Sequence, residues 1–222
     1  MDRYLGRCGN LPEGVRSDPV KGQKKSCLKG IFEGPARKRS FPVRAFCLQN
    51  RRNGGIRQME KAEWEEKTRA ARACWEDLVF ERFDSAVAWQ LGCRLHQKAE
   101  ERGLCIAASV TLNRRRLFYM AMDGTAPVNE RWIARKENTV YTFFESSYEK
   151  SLYMQLKNDS IGPRYGLNGA DYAAAGGSVP VQVRGMGIAG TVTVSGLTEE
   201  EDHALAAEVM REYLEEQERR RV

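Results

Sequence analysis

Histidine is nearly absent from this chain: His96 and His203 are the only two in 222 residues. That leaves little imidazole for a metal site, and neither an H-E-x-x-H helix nor a Walker loop is present. The six cysteines (Cys8, Cys27, Cys47, Cys74, Cys93 and Cys105) never fall at C-x-x-C spacing. This excludes the usual zinc and dithiol redox signatures. They are expected to be reduced thiols of an intracellular protein. No apolar run approaches the roughly 20 residues that span a bilayer. The N-terminus also lacks the apolar core of a secretory signal. The expectation is therefore a cytoplasmic protein with no membrane partner.

Charge is plentiful but uneven. Residues 1–58 hold 14 Lys/Arg against 4 Asp/Glu, whereas residues 59–222 hold 22 against 26. The net charge of +6 thus belongs to the N-terminal segment. That segment is rich in Gly, Pro, Lys, Arg and Ser and keeps no helical or strand period, so 1–58 is expected to be a disordered basic extension. Met59 is an alternative start. The clusters Arg37-Lys38-Arg39 and Arg51-Arg52 are short and lack interleaved aromatics, which argues against a nucleic-acid surface. The hydrophobic fraction of 41% supports a packed core in the remainder.

Val179 to Met210 organises that remainder. Val181, Val183, Ile188, Val192 and Val194 are β-formers, and Thr191 and Thr193 alternate with valines. Arg184-Gly185-Met186-Gly187 supplies a turn between two strands. Gly185 to Gly190 fits G-x-G-x-x-G, but a strand follows it rather than a helix, so a hairpin is favoured over a dinucleotide site. Thr198 caps a final helix, with Glu201 completing a capping box. Upstream, a helix is expected over about 59–83 and a second from the Asp84 cap to Arg102, ended by Gly103. In the second, Val87, Leu91, Leu95 and Ala99 form a stripe. Leu104 to Met122 reads as a hairpin turning at Asn113-Arg114-Arg115. Residues 129–157 read as one long helix with a potential break. Arg135 and Lys136 then sit near a helix start, against the dipole preference, which draws attention to them. Hairpins separated by helices define an α+β layer fold with an antiparallel sheet.

Three segments together resemble the GlcG/HbpS-like proteins, often labelled haem-degrading domain proteins. Trp132-Ile-Ala-Arg135-Lys136 resembles the central helix of that family. Ala170-Asp-Tyr-Ala173 with Gly176-Gly177 resembles its penultimate loop. Val194-Ser-Gly-Leu, followed by Glu200-Glu-Asp-His203, resembles its strand-to-helix ending. The resemblance covers about residues 76–214. It implies a profilin-like fold, a five-stranded antiparallel sheet flanked by helices, and a homo-oligomer. It also implies a small-molecule ligand, with the cofactor undetermined and haem or a related tetrapyrrole among the candidates. Some relatives have a histidine near the middle of the central helix. This chain has Phe144-Glu-Ser-Ser-Tyr148 there, which puts axial iron ligation in doubt.

The residues that could form a ligand site at this corner are Arg135, Lys136, Arg184, Ser195, Glu201 and His203. Arg and Lys suit the carboxylates or phosphate of an anionic ligand. The competing account is an ion-pair network between the basic pair and the acids Glu199 to Asp202. No Ser/His/Asp triad is indicated. The functional alternative to ligand binding is a non-catalytic oligomeric adaptor, whose acidic corner and charged C-terminal helix dock a protein partner.

Overall fold

A computed structural model describes residues 61–221. The expected basic extension, 1–58, and Met59 lie outside the described residues. The order is α1 (Lys61–Ala73), β1 (Val79–Phe80), α2 (Ser85–Arg102), β2 (Ala107–Leu112), β3 (Arg115–Ala121), α3 (Pro127–Phe143) and α4 (Ser147–Lys157). A short α5 (Ile161–Tyr165), β4 (Ser178–Val183), β5 (Gly187–Ser195) and α6 (Glu199–Arg219) follow. The strands form one sheet in the order β1-β4-β5-β2-β3.

Local chemistry accounts for most boundaries. Asp84 Oδ1 accepts from the Ala86 and Val87 amides and starts α2, and Gly103 ends it in the left-handed region at φ 62°. Asn113 and Arg114 both take positive φ, which turns β2 tightly into β3. Gly185 and Gly187 do the same between β4 and β5, so the G-x-G-x-x-G stretch is a hairpin turn. Thr198 and Glu201 form the reciprocal capping box of α6.

Two expectations are corrected. The sheet is mixed, because β1 pairs parallel with β4 through Val79–Gln182 and Phe80–Val183. Those two residues were expected inside the first helix, which instead ends at Ala73. Phe80 is buried against Phe83 and Tyr213, so tertiary packing overrides the helical spacing there. The long helix is also two helices. Phe144 adopts φ 55° and Ser146 caps α4, breaking the run at Phe144–Ser146. Because α3 begins at Pro127, Arg135 and Lys136 lie in its middle turns, and the expected conflict with the helix dipole disappears.

The two faces of the sheet differ. Ala108, Val110, Val179, Val181, Val192 and Val194 pack with Leu91, Leu95, Leu205, Val209 and Met210 in the main apolar core. The alternate positions are Ser109, Thr111, Ser178, Thr191, Thr193 and Ser195, all buried. Helix α3 lies over β5, β4 and β2 on that hydroxyl-rich side.

Candidate functional site

Most hydroxyls of this face are satisfied by hydrogen bonds across strands and to the helices. Ser178 Oγ and Thr193 Oγ1 are 2.8 Å apart, and Thr111 Oγ1 lies 2.7 Å from both Thr191 Oγ1 and the Tyr141 hydroxyl. The Ser178 amide donates to Ser147 Oγ at 2.9 Å, tying α4 to β4. Two atoms here have no partner of normal geometry, Ser109 Oγ and Glu137 Oε1. Burial pushes the Glu137 pKa up, and the nearby Ser109 hydroxyl and Arg116 charge offset only part of that.

At one end of this face the three motif segments meet. Lys136, only 4% exposed, donates to Asp202 Oδ2 at 2.8 Å and to the Val194 carbonyl at 3.0 Å. Asp202 Oδ1 accepts from the Leu197 amide at 3.0 Å, so both ends of the ion pair are hydrogen-bonded. Gly177, at φ 126°, closes over the pair. A Cβ there would stand 2.7 Å from Lys136 Nζ and 2.4 Å from the Val194 carbonyl. The Trp-Ile-Ala-Arg-Lys, Gly-Gly and Glu-Asp-His segments are thus joined through one buried ammonium.

Arg135 points elsewhere. Its Nε donates to the Tyr172 carbonyl at 3.1 Å and its Nη2 to the Gly169 carbonyl at 3.4 Å, while its guanidinium lies 4.6 Å from the Trp132 ring centre. These side chains border a cleft of about 800 Å³, completed by Ser151, Met154 and Gln155 of α4, the start of α5, Tyr172–Ala175 and Glu199. Glu199 Oε2 accepts from Ser151 Oγ at 2.5 Å and from the Gly176 amide at 3.3 Å.

The six residues singled out in the sequence therefore occupy separate places. Arg135 borders the cleft, and Lys136 is enclosed in its ion pair. Ser195 is buried below the start of α3, where Asn129 Nδ2 donates to its carbonyl at 3.3 Å. Glu201 serves the cap of α6. Arg184 lies at the β4–β5 turn, paired with Glu81 at 2.7 Å, and borders a second cleft of about 650 Å³. His203, 2% exposed, sits against α1: its Nε2 is 3.1 Å from the Ala71 carbonyl and its Nδ1 has no partner. Burial lowers the His203 pKa and favours neutral imidazole.

The sequence left Glu149 unnoticed. Its buried carboxylate accepts from Arg72 Nε at 2.8 Å, Trp75 Nε1 at 2.7 Å and the Ser146 amide at 3.0 Å, holding α1 to α4. The spacing Ser146-x-x-Glu149 is a capping box that could have marked it. The charged C-terminal helix is also explained internally. Lys98 bridges Glu208 and Glu212, each at 2.8 Å, and Arg94 pairs with Glu216, which clamps α6 to α2.

The fold defines a class, that of small α+β domains in which helices cover both faces of one five-stranded sheet. Residues 83–211 match the family described as Haem degrading protein HbpS-like, and the chain belongs to that family. A UPF0303 protein of Rhizobium rhizogenes is 46% identical over 135 residues, covering 61% of this chain and 83% of the relative. A UPF0303 protein of Edwardsiella ictaluri is 41% identical over 139 residues, covering 63% and 88%. Among solved structures, the Ybr137w protein superposes with a TM-score of 0.61 at 25% identity, covering 71% of this chain and 91% of that one. Klebsiella pneumoniae protein ORFY shares the fold, with a TM-score of 0.51 at 23% identity over 58% and 88% of the two chains.

Among the described residues, no helix is long and apolar enough to cross a membrane. Among the same residues, no cluster of three His, Cys, Asp or Glu side chains could hold a metal ion.

Proposed function

We propose that this domain binds a small molecule with an anionic group in the cleft between α3, α4 and the 166–177 loop. One observation carries it: Arg135 is fixed by two backbone carbonyls and stacked on Trp132 at the cleft wall, with its Nη1 free of hydrogen bonds among the described residues. A guanidinium held in this way recognises a carboxylate at little entropic cost. The Ala174 and Ala175 amides on the same wall donate to no protein acceptor among the described residues and could join it.

The family description concerns haem. Haem held through an axial imidazole does not suit these residues. His203 is turned to the Ala71 carbonyl, His96 lies on α2 beside Glu100, and neither borders the cleft. Self-association is part of the same proposal. β3 is a sheet edge whose outer side pairs with no strand among the described residues, and a second copy could extend the sheet along it. The adaptor alternative is less well supported, since Glu201 and Asp202 of the acidic corner are engaged within the domain.

The test is calorimetric titration of the full chain with 3-phenylpropionate and, separately, with haemin. Saturable binding of phenylpropionate that Arg135→Ala weakens at least tenfold supports the proposal. So does the absence of the Soret shift of an imidazole-ligated haem. Binding indifferent to Arg135→Ala, or no binding, contradicts it.

A further inference from the structure

The cleft presents a second charge whose chemistry narrows the ligand class. Glu199, the first residue of α6, directs Oε2 to Ser151 Oγ and the Gly176 amide, and its Oε1 accepts no hydrogen bond among the described residues. Asp159, the other acid of the cleft, is neutralised by Arg164 at 2.9 Å. Arg135 and Glu199 are different. Each is anchored on one side by neutral groups, each leaves an atom free, and among the described residues neither has an ionic partner in the other or elsewhere. One guanidinium and one carboxylate thus border the same cleft without cancelling.

A ligand bearing only negative charge would satisfy Arg135 and be repelled by Glu199. A purely cationic one would meet the reverse. Both charges are matched only by a molecule that carries both, and discrimination then arises from repulsion of the singly charged analogues. The wall also offers apolar and aromatic surface from Trp132, Met154, Ile161 and the Ala173–Ala175 run, beside the polar Gln155, Asn158 and Ser160. Resting on the cleft assignment above, we propose that the ligand is a zwitterion with an apolar or aromatic body, the chemical class of the α-amino acids, its carboxylate at Arg135 and its ammonium at Glu199.

Three probes share one skeleton and separate the possibilities: L-phenylalanine, 3-phenylpropionate and 2-phenylethylamine. Calorimetry on the full chain is expected to show phenylalanine binding at least tenfold tighter than either analogue. Glu199→Gln keeps an acceptor for Ser151 and Gly176. It is expected to weaken phenylalanine and tighten phenylpropionate, so that the two bind within about twofold of each other. Phenylpropionate binding as tightly as phenylalanine, with both weakened by Arg135→Ala, overturns the zwitterion assignment and leaves the cleft intact. No binding of any probe overturns both. Thermal melts of each variant without ligand confirm that affinity changes are read on folded protein.

Discussion

The two faces of the sheet are equally buried but held by different physics. Toward α2 and α6, valines, leucines and Met210 exclude water without direction. Toward α3 and α4, serine and threonine hydroxyls, the Tyr141 phenol and the Lys136–Asp202 pair each need a partner at a fixed place. The apolar face can tolerate exchange among similar shapes. The polar face fixes where α3, the Gly176–Gly177 turn and the start of α6 stand, and Arg135 of α3, the adjoining Ala173–Ala175 run and Glu199 border the cleft. In this domain, ligand binding is assigned beside the face whose order is most specific.

That contrast can be broken first at Lys136. Lys136→Ala leaves Asp202 buried and unpaired and is expected to cost about 3–5 kcal/mol in denaturant unfolding, against about 3 kcal/mol for Leu95→Ala on the apolar face. Combining Lys136→Met with Asp202→Leu should recover most of the loss, because it removes both charges. A Lys136→Ala cost below that of a surface substitution would show that the joint is dispensable.

A glycine pair sharpens the comparison. Gly177→Ala forces a Cβ onto the Val194 carbonyl and Lys136 at a positive φ, for a loss of about 2–3 kcal/mol. Gly185→Ala also has a positive φ but open space around it, and should lose about 1 kcal/mol. Equal losses would mean that crowding at the joint contributes nothing. Thr193→Val probes the hydroxyl row itself. It orphans Ser178 Oγ and should cost about 1–2 kcal/mol despite preserving volume.

Two titrating groups give the smallest effects, with opposite signs. Glu137 has a raised folded-state pKa, so its contribution is fullest at low pH and is lost as pH rises past its ordinary 4.5. Glu137→Gln should therefore stabilise the protein at neutral pH, raising the melting temperature by about 2–4 °C. His203 has a lowered pKa. The unfolded chain binds its proton first, so the stabilisation is complete above 6.5 and is lost as pH falls below it. In the Glu137→Gln background, unfolding free energy should fall between about pH 7 and pH 5, and His203→Gln should flatten that slope. An unchanged slope would place the acid sensitivity elsewhere.

Much of this fold was legible in the sequence because its signals are local. The Asp84 and Thr198 caps, the Gly103 stop and the Thr/Val alternation of β5 each act within a few residues. β1 was not legible. Two residues cannot establish a period, and Phe80 is a strand residue only because β4 and Tyr213 are beside it. The Thr191 and Thr193 positions marked a strand but not its second buried face, since alternation with valine ordinarily signals solvent on the polar side. At the site, the sequence grouped six residues at one corner, whereas the structure joins only Lys136, Gly177 and Asp202 there and sends Arg135, Arg184 and His203 to other surroundings. Adjacent Arg135 and Lys136 project to different surroundings, because neighbouring positions on a helix are about 100° apart. Glu199 was read only as one of the acids at the start of the last helix, a potential ion-pair partner of the basic pair. Its place in the cleft depends on Ser151 and Gly176, which no sequence spacing connects to it.

The most direct test is amide chemical-shift mapping on the full chain during addition of 3-phenylpropionate. The account predicts saturable shifts centred on Arg135, Ala173–Ala175 and Glu199 and on the Trp132 indole, with Leu95 and Val209 unmoved. Shifts centred on the α2–α6 face, or scattered without saturation, would contradict it.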